Sequence, residues 1–145
     1  YGWDQLERWS DRCPDVEIEE GYTPIRDLLL HTRVVLCTYN ATTFLESFAM
    51  DIPTIMFWNP EHWELRQDAV LAFELLEDAG LLFRRPADAA RKLSEVWDDV
   101  DDWWTSAPVR SARQQFCELY NWTSGGLVER VADALRRVVA APPRP

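Results

Sequence analysis

The sequence predicts an α/β fold in which a parallel sheet is covered by helices on both faces. The chain has 145 residues, 47% of them hydrophobic, which is long enough and apolar enough for a packed core. Two apolar runs, Val34–Cys37 and Thr54–Trp58, are separated by a helical pattern and are predicted as strands, the first buried on both faces. Strands that alternate with helices through short connections are typical of parallel sheets.

The segment before these strands predicts two short helices with a short strand between them. Asp4–Arg12 is predicted as the first helix and Val16–Glu19 as a strand that ends before Gly21. Pro24 is favoured in the first turn of a helix, so a second helix is predicted from Pro24 through Leu30.

The central part of the chain predicts a strand–loop–helix–turn–strand unit. After Val34–Cys37, residues 39–43 turn the chain and Phe44–Met50 is helical in pattern. Asp51-Ile52-Pro53 ends that helix, because proline cannot continue it, and Thr54–Trp58 follows as the next strand.

The second half predicts a long helix, a short strand and then a series of helices. The predicted elements are a helix Glu61–Ala79 ended by Gly80, a strand Leu81–Arg84, a helix Pro86–Trp104, a helix opened by Pro108, and a helix Leu127–Val139 capped by Thr123-Ser124. The predicted inner faces carry Leu65, Ala69, Ala72, Phe73 and Leu76 in the first helix, Ala90, Leu93, Val96, Trp97 and Val100 in the second, and Phe116 and Tyr120 in the third. Residues 1–139 are predicted as a single domain and 140–145 as a tail.

The charge and the cysteines exclude several classes of function. A net charge of −10 argues against nucleic-acid or anionic-membrane binding, so an anionic ligand must be held locally. The three cysteines, Cys13, Cys37 and Cys117, are far apart in the chain and odd in number, which argues against a disulfide framework and against a zinc site. Free cysteines of this kind are typical of a protein in a reducing cytoplasm. No apolar run approaches the roughly 20 residues that span a bilayer, so no transmembrane segment is predicted.

The stretch Thr43-Phe44-Leu45-Glu46 has two interpretations. In the first it is a capping box, in which Thr43 caps the helix and Glu46 accepts from the Thr43 N–H. In the second, the amides of residues 40–43 and the two threonine hydroxyls bind a diphosphate at the helix N-terminus. Glu46, one turn or about 5.4 Å further on, then accepts from both hydroxyls of a ribose. The sequence leaves both open.

Three segments carry a resemblance to a known family. They resemble the C-terminal, nucleotide-sugar-binding half of GT-B-fold glycosyltransferases, above all bacterial transferases of surface-carbohydrate biosynthesis. The three segments are VVLCTYNATTFLESFAMDIPTIMFW, NPEHWELRQDA and EDAGLLFR. The resemblance runs from Val16 to about Val139. It implies a Rossmann-like, doubly wound parallel sheet with C-terminal helices, as part of a two-domain enzyme whose acceptor-binding N-terminal half is not in this chain.

The resemblance also implies roles for individual residues. It places the donor phosphates at Asn40, Ala41, Thr42, Thr43 and Arg66, the ribose at Glu46, the base at Tyr22 and Thr23, and the sugar at Asn59, His62, Glu64 and Gln67. The family loop usually contains glycine, whereas this one has Asn40, which tolerates a left-handed conformation, and Asp51 also stands where glycine is common. For Arg66 the alternative is a solvated arginine paired with His62 or Glu61, and for Tyr22 a ring that covers the sheet edge.

The implied chemistry needs neither a metal nor a cofactor besides the nucleotide-sugar donor. The general base belongs to the absent half, so the catalytic residues of this chain stay unknown. The acidic run from Trp97 to Trp104 is interpreted as solvated carboxylates between aromatics that pack on the core or on the absent half. A cytoplasmic location, or a peripheral one at the inner face of the membrane, follows from the same resemblance.

Three functions are compatible with these observations. The first is transfer of a sugar, or a similar group, from a nucleotide-activated donor to a cell-surface glycan or its lipid-linked precursor. The second is a nucleotide-sugar 2-epimerase, whose further carboxylates and histidine are not found here. The third is a non-catalytic module that binds nucleotides or another protein.

Overall fold

The computed structural model describes residues 4–121 and 125–140. The chain divides into two compact units, with the boundary between Thr32 and Arg33, inside the segment predicted as one domain. The predicted cap at residues 123 and 124 and the tail residues 141–145 lie outside the described residues.

The N-terminal unit contains the two predicted helices, α1 (Gln5–Arg12) and α2 (Ile25–Leu30). Pro24 is the N-cap of α2, so the helix begins at Ile25, one residue later than predicted. The predicted strand Val16–Glu19 is wrong. A strand needs a neighbour for its ladder of hydrogen bonds, and residues 4–32 of this unit contain none.

The second unit is built on a parallel sheet of β1 (Val35–Cys37), β2 (Thr54–Phe57) and β3 (Leu82–Phe83), with β2 in the centre. All three strands lie inside the predicted segments, so the α/β class and the parallel sheet are confirmed. The prediction that the first strand is buried on both faces is wrong, because Leu36 is 44% exposed. Leu36 pairs with Ile55 and lies on the face where α5 packs on β2 and β3 rather than on β1.

Helices lie on both faces of this sheet. The helices of the second unit are α3 Thr42–Ala49, α4 Val70–Asp78, α5 Pro86–Val96, α6 Val100–Thr105, α7 Ala107–Tyr120 and α8 Leu127–Ala140, of which α3, α4 and α5 contact the strands. On one face Ile55 packs with Ala89 and Val96 of α5. Because side chains alternate along a strand, Thr54 lies on the other face, where its hydroxyl donates to that of Ser47 on α3 at 2.8 Å.

The helix α4 is about half as long as the predicted helix Glu61–Ala79, because it begins only at Val70. The Asn59 side-chain oxygen accepts from the Glu61 N–H at 3.0 Å, and the Asn59 carbonyl accepts from the His62 N–H at 3.0 Å. These local bonds fold a turn where the helix was expected to start. The predicted inner residues Ala69, Ala72, Phe73 and Leu76 are buried, whereas Leu65 lies outside the helix.

The helix predicted over Pro86–Trp104 is two helices, with a break at residues 97–99. Asp99, in a non-helical conformation, is the N-cap of α6, as expected of a residue type that is poor in helix interiors and common at caps. Val96 and Val100 are buried as predicted, but Ala89 takes the place of Ala90 in the core.

Trp97 is 46% exposed and stacks under the Arg33 guanidinium instead of facing inward, whereas Trp104 is buried. The neighbouring aspartates of the acidic run are exposed. No helix among residues 4–121 and 125–140 is long and apolar enough to cross a membrane.

Candidate functional site

The candidate site is the edge of the sheet where β1 and β2 end. β1 ends at Cys37, and α3 begins after a loop of four residues, 38–41. The loop after β2, residues 58–69, leaves from the same edge because the two strands are parallel. Ligands of open parallel sheets bind at this edge, where helix N-termini collect.

The first turn of α3 has amide groups without acceptors. The helix begins at Thr42, its N-cap is Ala41, and no side chain caps it, so the predicted capping box of Thr43 and Glu46 is wrong. Among the described residues, no hydrogen-bond acceptor is found for the N–H groups of Thr42, Thr43 or Phe44. The Ala41 N–H donates to the Tyr39 carbonyl at 3.2 Å. Of the four amides predicted to bind the diphosphate, that of Ala41 is therefore engaged, while those of Thr42 and Thr43 remain available as donors of the first helical turn.

Glu46 lies one turn into α3 with an exposed side chain. No hydrogen bond or ion pair joins its carboxylate to any residue in the described ranges. Asn40, Ala41 and Thr43 are half-buried and Thr42 is exposed. In the described part of the chain, α3 thus combines first-turn amides that have no acceptor with a carboxylate, one turn further along, that has no partner.

The loop after β2 carries the residues predicted for the sugar. Asn59, His62, Glu64 and Gln67 are all exposed there. The Asn59 side-chain oxygen is engaged by the Glu61 N–H, which leaves its NH₂ group as a donor.

Arg66 is exposed and forms an ion pair with Asp68 at 2.6 Å. The alternative pairing of Arg66 with His62 or Glu61 is therefore wrong. An exposed pair of this kind contributes about 0–1 kcal/mol, so the guanidinium exchanges easily to an anionic ligand.

The residues predicted for the base lie in the N-terminal unit. Glu19 accepts from the N–H groups of Gly21, Tyr22 and Thr23 at 2.8–3.0 Å and from the Thr23 hydroxyl at 3.0 Å. These bonds hold the pKa of Glu19 below its usual value, those from the Thr23 amide and hydroxyl most of all. The backbone amides of the two residues predicted for the base are thus engaged, while the Tyr22 ring is 86% exposed.

Two features of the site were not predicted from the sequence. Tyr39 and Trp63 form an aromatic pair, with ring centroids 6.0 Å apart and planes inclined by 36°. A cleft of about 310 Å³ also opens beside the start of α3; its lining includes Ala41, Leu45 and the aromatic residues Phe44, Phe73, Phe116 and Tyr120. The sequence carried only a weak signal for this pair: Tyr39 follows β1 and Trp63 follows β2, and these two parallel strands end at the same edge of the sheet.

Cys37, at the end of β1, is buried, and burial raises the pKa of its thiol to about 11. It therefore acts as a small core residue and not as a nucleophile. No group of His, Cys, Asp and Glu side chains suited to a metal ion is present within residues 4–121 and 125–140.

Comparison with known proteins identifies a family for this chain. A family model described as "LIC12162 family transferase" matches residues 1–135. Neither the curated proteins nor the solved structures contain a significant match. Because the family model covers almost the whole chain, the chain belongs to the LIC12162 family of transferases.

Proposed function

We propose that this transferase moves a sugar from a nucleotide-activated donor to a cell-surface glycan or its lipid-linked precursor. In this proposal the chain is the donor-binding, C-terminal half of a GT-B glycosyltransferase, with a doubly wound sheet, and works in the cytoplasm or at the inner face of the membrane. The observation that carries it is the first turn of α3, whose amides have no acceptor, and the Glu46 carboxylate one turn further on, which has no partner, within residues 4–121 and 125–140. The transferase family favours this function over an epimerase or a non-catalytic module.

The α3 amides would act on the leaving group. A nucleoside diphosphate leaves with negative charge, which fixed N–H donors and the positive end of the helix dipole stabilise as it develops. Arg66 adds a cation by exchanging Asp68 for a phosphate. The acceptor hydroxyl attacks the anomeric carbon, and the base that takes its proton comes from the N-terminal half. The overall acidity of the chain makes this local arrangement necessary.

Glu46 would bind the ribose. Its carboxylate is exposed on the same helix, one turn beyond the amides, and has acceptor positions for two hydroxyls. Hydrogen bonds to a charged group contribute about 1.5–3 kcal/mol, so this contact accounts for a large part of the nucleotide affinity.

The phosphate contact is tested by replacing Thr42 with proline. Thr42 is the first residue of α3, and proline at this position keeps the helix but removes the amide N–H. We expect Thr42→Pro to weaken calorimetric binding of UDP, CDP or GDP at least 10-fold relative to Thr42→Ala, which retains the N–H and loses only the hydroxyl. Equal affinities of the two variants, with unchanged circular dichroism, would exclude the Thr42 amide from the phosphate site and contradict the proposed contact.

The ribose contact is tested by combining Glu46→Ala with a 2′-deoxynucleotide. We expect Glu46→Ala to lower the affinity for UDP about 10-fold or more and to have less effect on 2′-deoxy-UDP, because the deoxynucleotide already lacks one of the two hydroxyls that donate to Glu46. Glu95→Gln, an exposed glutamate on α5, serves as the control and should leave both affinities unchanged. Additive losses in the cycle would place the ribose elsewhere.

A further inference from the structure

We infer that Tyr39 and Trp63 form an aromatic platform that holds the pyranose ring of the donor, the group that is transferred. This inference rests on the proposed function and adds two residues to it. Tyr39 is 45% exposed and Trp63 is 38% exposed, although their rings pair with each other at 6.0 Å. Two large aromatic side chains therefore remain open to solvent at the edge where the donor binds.

The loops on which the two rings lie are held in place before any ligand arrives. The Tyr39 carbonyl accepts from the Ala41 N–H, which fixes the approach to α3. On the other loop, the turn begun by Asn59 precedes Trp63, and the Tyr120 hydroxyl donates to the Asp68 carbonyl at 3.3 Å. A surface with such bonds loses little conformational entropy on binding, as a site built for a ligand should.

The order of the chemical groups in the donor indicates that its sugar is the group that lies on the aromatic platform. A nucleotide sugar runs from base to ribose to diphosphate to sugar. Along the chain, the free amides of α3 lie between Tyr39 on one side and Glu46 on the other. With the ribose at Glu46 and the diphosphate at the amides, the group on the far phosphate lies toward Tyr39 and Trp63.

The chemistry of a pyranose fits this surface. Its C–H groups are weakly positive and its ring has one apolar face, which matches the negative π face of an aromatic side chain. Its hydroxyls lie around the rim, and the loop that carries Trp63 also presents the Asn59 NH₂ group and the Glu64 carboxylate in exposed positions. Aromatic faces with polar neighbours thus meet both parts of a sugar.

The test compares each nucleotide with its sugar conjugate on the same variants. Calorimetry on the full chain measures UDP against UDP-glucose and UDP-N-acetylglucosamine, and GDP against GDP-mannose. We expect Trp63→Ala and Tyr39→Ala each to weaken binding of the conjugate roughly 2- to 12-fold and to leave the free nucleotide within 2-fold. Trp63→Phe retains a π face and should restore most of the affinity for the conjugate.

Trp97→Ala is the matched control, because Trp97 is also an exposed aromatic residue, at the end of α5. It should change neither affinity. Equal losses for nucleotide and conjugate, or no loss for either, would overturn the platform while leaving the donor site intact. Failure of every nucleotide to bind the folded wild-type chain would instead overturn the proposed function, and the platform with it.

Discussion

Replacing Phe116 with alanine is expected to lower the free energy of unfolding by about 3–5 kcal/mol. Phe116 on α7 is 1% exposed and lies at the centre of an aromatic cluster. Its ring centroid is 5.1 Å from that of Phe73, 6.0 Å from Phe44 and 6.1 Å from Phe48. The alanine variant leaves a cavity between α3, α4 and α7, and rigid neighbouring rings fill it poorly.

Urea unfolding followed by tryptophan fluorescence and by far-UV circular dichroism measures this change. Coincidence of the two curves supports a two-state analysis. Leu119→Ala is the control on the same helix, because Leu119 is 68% exposed, and we expect a change within about 0.5 kcal/mol. A loss below about 1 kcal/mol for Phe116→Ala would mean that the cluster is not the core of this unit.

The aromatic cluster also connects stability to the candidate site. Phe44 is the third residue of α3, so its buried ring fixes the first turn whose amides face the edge of the sheet. Trp58, immediately after β2, packs on Phe44 at 6.1 Å and on Phe73 at 6.0 Å. The start of α3 and the start of the loop after β2 are therefore anchored to one group of rings.

The parts of the fold that the sequence predicted correctly have strong local signals. β1 and β2 are short runs of β-branched and apolar residues, and Gly80 ends α4 with a φ of +70°, as its position predicted. The start of α4 was missed because the Asn59 side chain competes for the backbone N–H of Glu61. The helical spacing of hydrophobic residues continues through this turn, so the spacing alone does not show where the helix begins.

The candidate site was predicted less completely, because it depends on single residues and on contacts between distant segments. The pattern of Thr43 and Glu46 has the spacing of a capping box that would start the helix at Phe44, but the helix starts two residues earlier, with Ala41 as its N-cap. The sequence pattern cannot resolve that shift. The contact between Tyr39 and Trp63 joins loops 24 positions apart in the chain and depends on how β1 and β2 pair.

Replacing Asp51 with alanine is expected to lower the free energy of unfolding by about 2–4 kcal/mol. Asp51 follows the C-cap of α3 with a φ of +57°, where glycine is usual. The Asp51 N–H donates to the Phe48 carbonyl at 3.1 Å and the Ile52 N–H to that of Ser47 at 2.9 Å, the pattern of a Schellman motif. Alanine is strained at this φ and also lacks the carboxylate.

The carboxylate explains why aspartate, and not glycine, occupies this position. It accepts from the Trp104 indole N–H at 2.9 Å and pairs with Arg113 at 2.5 Å. The Arg113 side chain is only 11% exposed and its guanidinium lies 3.6 Å from the centroid of the Trp104 ring. A negative charge at a helix C-terminus is normally unfavourable, and here the arginine offsets it.

Three substitutions at Asp51 separate these contributions in urea unfolding. Asp51→Gly removes the carboxylate without backbone strain, so alanine should cost about 1 kcal/mol more than glycine. Asp51→Asn retains an acceptor for Trp104 and tolerates a positive φ, so it should be the least destabilising of the three. Equal losses for alanine and glycine would show that φ is not strained at this position.

A cycle that combines Asp51→Asn with Arg113→Met isolates the ion pair. Because the Asp51 side chain is 76% exposed while that of Arg113 is buried, water screens the pair only from one side. We expect a coupling energy of about 0.5–2 kcal/mol, since the single change at Asp51 leaves a buried guanidinium without its countercharge and the double change does not. A coupling energy near zero would mean that the contacts with Trp104 alone hold Arg113 in place. The choice of residue at position 51 would then depend only on its left-handed backbone conformation.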